Sequence, residues 1–171
     1  MMGRDPEWER FAELTARCYK AAENGNTLNA CWNDAFDVLM EIVAIKRGED
    51  SSFARELGDM EKLTDFKFNI EGLILDYLDK LWEAGDYEKL CISGNRIISM
   101  FDWRVESSSV IRIKVVNALV KIGKKDEAVQ YCIEWIKAEP EDVNAVMTKK
   151  ALLTNAGTLK KTELTEGEAV C

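Results

Sequence analysis

Two groups of carboxylates and five cysteines are the side chains of this sequence with the means to do chemistry. Asp34, Asp37 and Glu41 recur at steps of three and four, as do Asp76, Asp79 and Glu83, so each trio shares one face of any helix that carries it. Oxygen atoms placed in that way suit a hard cation. Helical two-metal carboxylate centres also draw on Glu-x-x-His pairs, however, and the chain has no histidine. The same absence removes imidazole general bases, Ser-His-Asp triads and His metal sites. No Gly-rich phosphate loop or G-x-S-x-G elbow is present either. Both trios therefore read as solvated acidic faces. No catalysis, metal or cofactor is expected, and a carboxylate metal-dependent enzyme is the least favoured reading.

Cys18, Cys31, Cys91, Cys132 and Cys171 contain no C-x-x-C pair, and without His they complete no common zinc pattern. Cys18 and Cys31 lie seven residues before and six after Gly25, which brings them near each other if the chain turns there. A disulfide between them is conceivable. An odd total and a charged, non-hydrophobic start favour reduced thiols acting as small core residues. The same start, with no apolar run near the roughly 20 residues that span a bilayer, gives the expectation of a cytoplasmic protein with no membrane role.

The net charge of -8 is unevenly spread: 13 basic and 22 acidic residues through Glu106 give -9, and 10 basic against 9 acidic after it give +1. A surface of that sign repels phosphate backbones, which argues against nucleic-acid binding and favours a basic protein or peptide partner. Charge of this kind also serves plain solubility.

Positioning any of these groups requires helices, because the apolar residues repeat with helical period. Asp5-Pro6 supplies a cap and a first-turn proline for a stripe of Trp8, Phe11, Ala12, Thr15, Cys18, Tyr19 and Ala22. Asn24 to Thr27 stops it, and a second stripe runs from Leu28 through Trp32, Leu39 and Val43 to Arg47-Gly48. Residues 48–63 form an irregular connector with a short helix interrupted or ended near Gly58. Asp65 to Ala84 carries apolar residues on two faces, and a partner helix follows to about Phe101. The serines at 107–109 open a helix to Ile122 that is apolar nearly all round, which places it centrally with Val116 at a close crossing. Further helices cover Asp126 to Ala138 and Glu141 to Thr154, and 158–171 is a polar tail. The chain is thus expected to be all-α, one domain over 1–157, with about three antiparallel hairpins and a terminal helix.

Gly25, Gly58, Gly85, Gly123 and Gly157 are 33, 27, 38 and 34 residues apart, a spacing near that of stacked helix pairs. Gly123-Lys124-Lys125-Asp126-Glu127-Ala128, with Cys132 four residues on and Pro140 twelve, resembles the tetratricopeptide-repeat (TPR) helix pair, and Gly85 to Leu90 resembles the same turn. The likeness covers about residues 70–157. It departs from the family pattern at Val116, Leu78 and Leu90, where small residues are usual. The resemblance implies a short TPR-like superhelix whose first helices line a concave groove for a peptide or protein. On the family register the groove residues are Leu75, Asp79 and Trp82 from one helix and Ile113, Asn117 and Val120 from the next. An alternative is that the apolar members of this set are core. A subunit that self-associates or docks into a larger assembly is the second functional expectation.

Overall fold

The computed structural model describes residues 6–25 and 30–166, with side chains described as far as Thr154. Asp5, Leu28 and Cys171 lie outside that range, so the expectations attached to them have no structural counterpart. Among the described residues there are eight helices and no strand: α1 Pro6–Glu23, α2 Ala30–Glu49, α3 Leu57–Leu63, α4 Ile70–Glu83, α5 Tyr87–Met100, α6 Ser109–Lys121, α7 Lys125–Ala138 and α8 Val143–Glu166. The protein is all-α. Helix α1 packs on α2, α4 on α5 and α6 on α7, and α8 lies against α7 and α6.

Three of these junctions turn on glycine. Gly25, Gly85 and Gly123 have φ of 82°, 73° and 81°, the left-handed conformation that closes a helix and costs a side-chain-bearing residue about 1 kcal/mol or more. The other two glycines of the expected register do something else. Gly58 is the second residue of α3, and Gly157 lies inside α8. The three turn glycines are consequently 60 and 38 residues apart, not at a constant period. The residues from Gly58 to Leu63 repeat those from Gly85 to Leu90 almost letter for letter, yet the two segments play different parts. Asp86 caps α5 by accepting from the Lys89 amide, whereas Asp59 sits within α3 and accepts from the Glu56 amide.

The short connector helix begins at Leu57 and runs through Gly58, the reverse of an ending there, because Leu57 and Met60 are buried on the core. The terminal helix also outruns its expected end at Thr154 and continues to Glu166. Leucine, lysine and glutamate at 159–164 favour helix more than the single Gly157 opposes it.

Most of the apolar core belongs to the front of the chain. Helix α2 is its centre: Trp32, Phe36, Leu39, Met40, Ile42 and Val43 are all buried. Helix α6 is less enclosed than its composition suggests, since Val110 and Val120 remain 53% and 38% exposed. It meets α5 very closely, where a Cβ on the buried Gly94 would stand 2.6 Å from a methyl of Val115. Val116, about 100° further round the helix, forms a separate small cluster with Ala128 and Cys132.

The connector is held by charge. The Arg47 guanidinium donates to the carbonyls of Phe53 (3.0 Å), Ala54 (2.5 Å) and Met100 (2.5 Å) and lies 5.4 Å from the Phe101 ring centre. Burial, followed by the nearby Arg55, lowers its pKa from the usual arginine value. Alongside it Arg55 pairs with Asp102 at 2.7 Å, the Glu56 carboxylate accepts the Arg104 and Val105 amides, and Glu106 accepts the Gly58 amide at 2.9 Å.

Two stability measurements follow from this packing. Arg47→Lys cannot fork to three carbonyls and should lower unfolding free energy by about 2 kcal/mol in urea melts; a loss below about 0.5 kcal/mol would show the staple to be dispensable. Val116→Asp buries an unpaired carboxylate and should cost about 3–5 kcal/mol, against under about 0.5 kcal/mol for Lys124→Asp in the exposed turn that follows. An unshifted midpoint for Val116→Asp would contradict the α6–α7 packing.

Candidate functional site

Helices α4 and α6, the first members of successive hairpins, touch along part of their length. Their facing side chains place two of the expected groove residues, Asp79 and Trp82, beside α6. Asp79 projects from α4 and is ion-paired with Lys114 of α6. Three residues further along α4, Trp82 packs edge-on against Tyr87 with centroids 5.0 Å apart, and the Lys121 ammonium lies 5.7 Å from a Trp82 ring centre. Such a cation over an indole contributes about 0.5–1 kcal/mol at an exposed site. Asn117 is exposed and stands one helical turn from each of the two lysines.

The remaining members of the set behave differently. Leu75 is half-buried and packs against the main core, so it supports the helix from beneath and offers little surface. Ile113 is half-buried and Val120 is 38% exposed, both on the same side of α6 as Asn117. Lys114 and Lys121 are the residues of this patch that the repeat register does not mark. Their spacing of three and four residues around Asn117 is legible in the sequence, but lysines at helical spacing read equally well as solvated charge.

The patch continues toward α1. Asp76, one turn before Asp79, accepts a hydrogen bond from the Tyr19 hydroxyl at 2.7 Å. Burial, then this carboxylate, raise the pKa of the Tyr19 phenol. Between α1 and the start of α4 is a cavity of 440 Å³ walled by Phe11, Tyr19, Phe68 and Leu73, with Lys67 and Asp76 among its polar residues. That volume is within the range of small-molecule and side-chain pockets.

Five of the six carboxylates in the two acidic trios are taken up by neighbours, and Asp34 is exposed. Asp37 pairs with Arg96 at 3.3 Å, Glu41 with Arg10 at 3.8 Å and Glu83 with Lys80 at 2.8 Å, while Asp76 and Asp79 have the partners already described. Among the described residues no group of three or more His, Cys, Asp or Glu side chains converges as a cation site. No described helix is long and apolar enough to cross a membrane. No protein-family model matches the chain, and neither a curated protein nor a solved structure matches it.

Proposed function

We propose that the protein is a helical-hairpin interaction module, TPR-like in arrangement, that holds a peptide or protein segment across the α1–α4–α6 face. The observation that carries this reading is the juxtaposition of Trp82, Asn117, Lys114 and Lys121 across two helices. A tryptophan supplies contact area at low entropic cost, and an exposed asparagine can pair with the backbone of an extended segment. The two lysines alter the partner expected from net charge alone. Lys114 is matched by Asp79, but Lys121 beside Trp82 gives this face a cation, so a bound segment would place a polar or acidic group there. A pull-down from cell lysate compares the native protein with a Trp82→Ala, Asn117→Ala double variant of unchanged melting temperature. The variant should lose specific bound proteins by tenfold or more; an identical bound set would remove the assignment.

A second reading is favoured by a different surface. On α8 the side chains of Val143, Val146, Met147 and Leu153 are 67%, 52%, 66% and 52% exposed, and helical spacing puts them on one side of the helix. An uncovered stripe of this kind suits self-association or docking in an assembly. Light scattering from 10 to 500 μM should show the mass rising with concentration, and Met147→Asp should abolish the rise. A constant monomer mass for the native protein would exclude self-association.

A further inference from the structure

The cavity between α1 and the start of α4 has five polar residues in its wall, and four of them are engaged. The Thr15 hydroxyl donates to the Ala12 carbonyl of its own helix at 3.0 Å, and the Asn69 side chain caps α4 by accepting from the Gly72 amide at 3.0 Å. The Tyr19 hydroxyl donates to Asp76, and the Lys67 ammonium lies 5.2 Å from the Phe68 ring centre. Asp76 itself is only partly satisfied. Among the described residues Tyr19 is the donor to its Oδ2, Oδ1 accepts no hydrogen bond, and no cation pairs with it. The acidic residues further along α4 differ, since Lys114 matches Asp79 and Lys80 matches Glu83. Asp76 is thus a half-buried carboxylate without a countercharge, in the wall of a cavity of 440 Å³.

The rest of that wall suits the stem of a long basic side chain. Phe11 and Leu73 supply buried apolar surface. Phe68 stacks on Trp8 with ring centres 5.5 Å apart and meets Phe11 edge-on at 5.2 Å, so the aromatic side is held in place. Tyr19 is held likewise, edge-on to Trp32 at 5.3 Å and by its bond to Asp76. Aliphatic stems pack on such surfaces while their charged heads seek a polar end, and aromatic faces favour cations. A wall fixed before binding also lowers the entropic cost of association.

We propose that this cavity is the anchor subsite for a basic side chain, arginine or lysine, of the segment held across the α1–α4–α6 face, with its cation on Asp76 Oδ1; the assignment rests on that reading of the face. Charge within the cavity sets the direction of entry. Lys67 stands at the start of α4, where the helix dipole is also positive, and α4 rises about 10 Å from Asn69 to Asp76. A bound cation is repelled from the first end and drawn to the second. Tyr19 is a positioning residue here: by donating to Oδ2 it fixes the carboxylate and leaves Oδ1 for the ligand.

The test is a titration of the full chain, followed by two-dimensional amide NMR, with three probes: N-acetyl-arginine amide, N-acetyl-norleucine amide and N-acetyl-glutamate amide. The arginine probe should shift the Tyr19, Phe68 and Asp76 amides saturably, and the norleucine probe, with a stem and no charge, should bind about tenfold more weakly or worse. Asp76→Asn keeps an acceptor for Tyr19 and should weaken the arginine probe by a similar factor, whereas Lys67→Ala should not weaken it. Equal binding of the arginine and norleucine probes would overturn the proposal, and this comparison on the native protein decides even if Asp76→Asn folds poorly. A preference for the glutamate probe that Lys67→Ala abolishes would also overturn it. The Trp82→Ala, Asn117→Ala variant separates this subsite from the groove. Unchanged arginine binding in that variant, with a lysate capture identical to the native one, would remove the groove and keep the cation site. Lysate capture that depends on Trp82 and Asn117, with no arginine binding, would remove the subsite and keep the groove.

Discussion

The guanidinium of Arg47 is the point on which the front of the molecule depends. A regular stack of helix pairs needs only short turns, but here 20 residues separate α2 from the second hairpin, and this intervening chain must be packed without a strand or a long helix of its own. Carbonyls in such a segment have no helical partners and are costly to bury unpaired. Arg47 resolves this by gathering the carbonyls of Phe53 and Ala54 in the connector and Met100 at the end of α5 around one charge. The backbone there is not relaxed: Ala54 has φ of 42° and Trp103, in the loop facing it, φ of 54°. Both positions are paid for by nearby hydrogen bonds, Ala54 through its carbonyl to Arg47 and Trp103 through its indole N–H to the Ile98 carbonyl at 2.9 Å. The Arg55–Asp102 and Glu56–Arg104 contacts then join connector and loop into one unit.

The fold class and the hairpin turns were legible because they rest on local physics. Glycine at a left-handed position and apolar residues at helical period act within a few residues of each other. Two of the five expected turn glycines failed the test for the same reason: Gly58 and Gly157 were assigned turns by spacing alone, without a neighbouring stop signal that outweighs helix propensity. The connector's order was not legible. Arg47 contacts residues 53 positions away, and a charged residue next to Gly48 reads equally well as a helix end facing water. The closeness of α5 and α6 at Gly94 was hidden too, since a glycine within a helical stripe signals equally a weak point and a close approach.

The patch on α4 and α6 was half legible. Trp82, Asp79 and Asn117 were marked by the repeat register, and the structure brings α4 and α6 together there. What the register could not supply is the pairing of Asp79 with Lys114 and of Trp82 with Lys121, because both depend on the crossing of two helices about 35 residues apart in sequence.

The character of that patch is a consequence of how α6 is buried. Ile111, Val115 and Ala118 face the main core, while Val116 turns about a quarter of the way round to the rear cluster, with Leu119 between them and packed against both. Arg112 lies within the same buried arc and is held there by Glu139 at 2.9 Å. Two cores thus claim an arc of about 160° on one side of the helix. The side chains left over are Val110, Ile113, Lys114, Asn117, Val120 and Lys121, which 100° steps gather into an arc of about 120° on the other. A helix that looks apolar all round in sequence therefore presents a narrow mixed face with two cations and one amide. That face abuts α4 through Asp79 and Trp82, while on the core side Gly94 lets α5, the hairpin partner of α4, approach α6 at Val115 and Ile111. Exposure, charge and the meeting of the two helices at this patch all follow from the same constraint, the burial of one helix between two unequal cores.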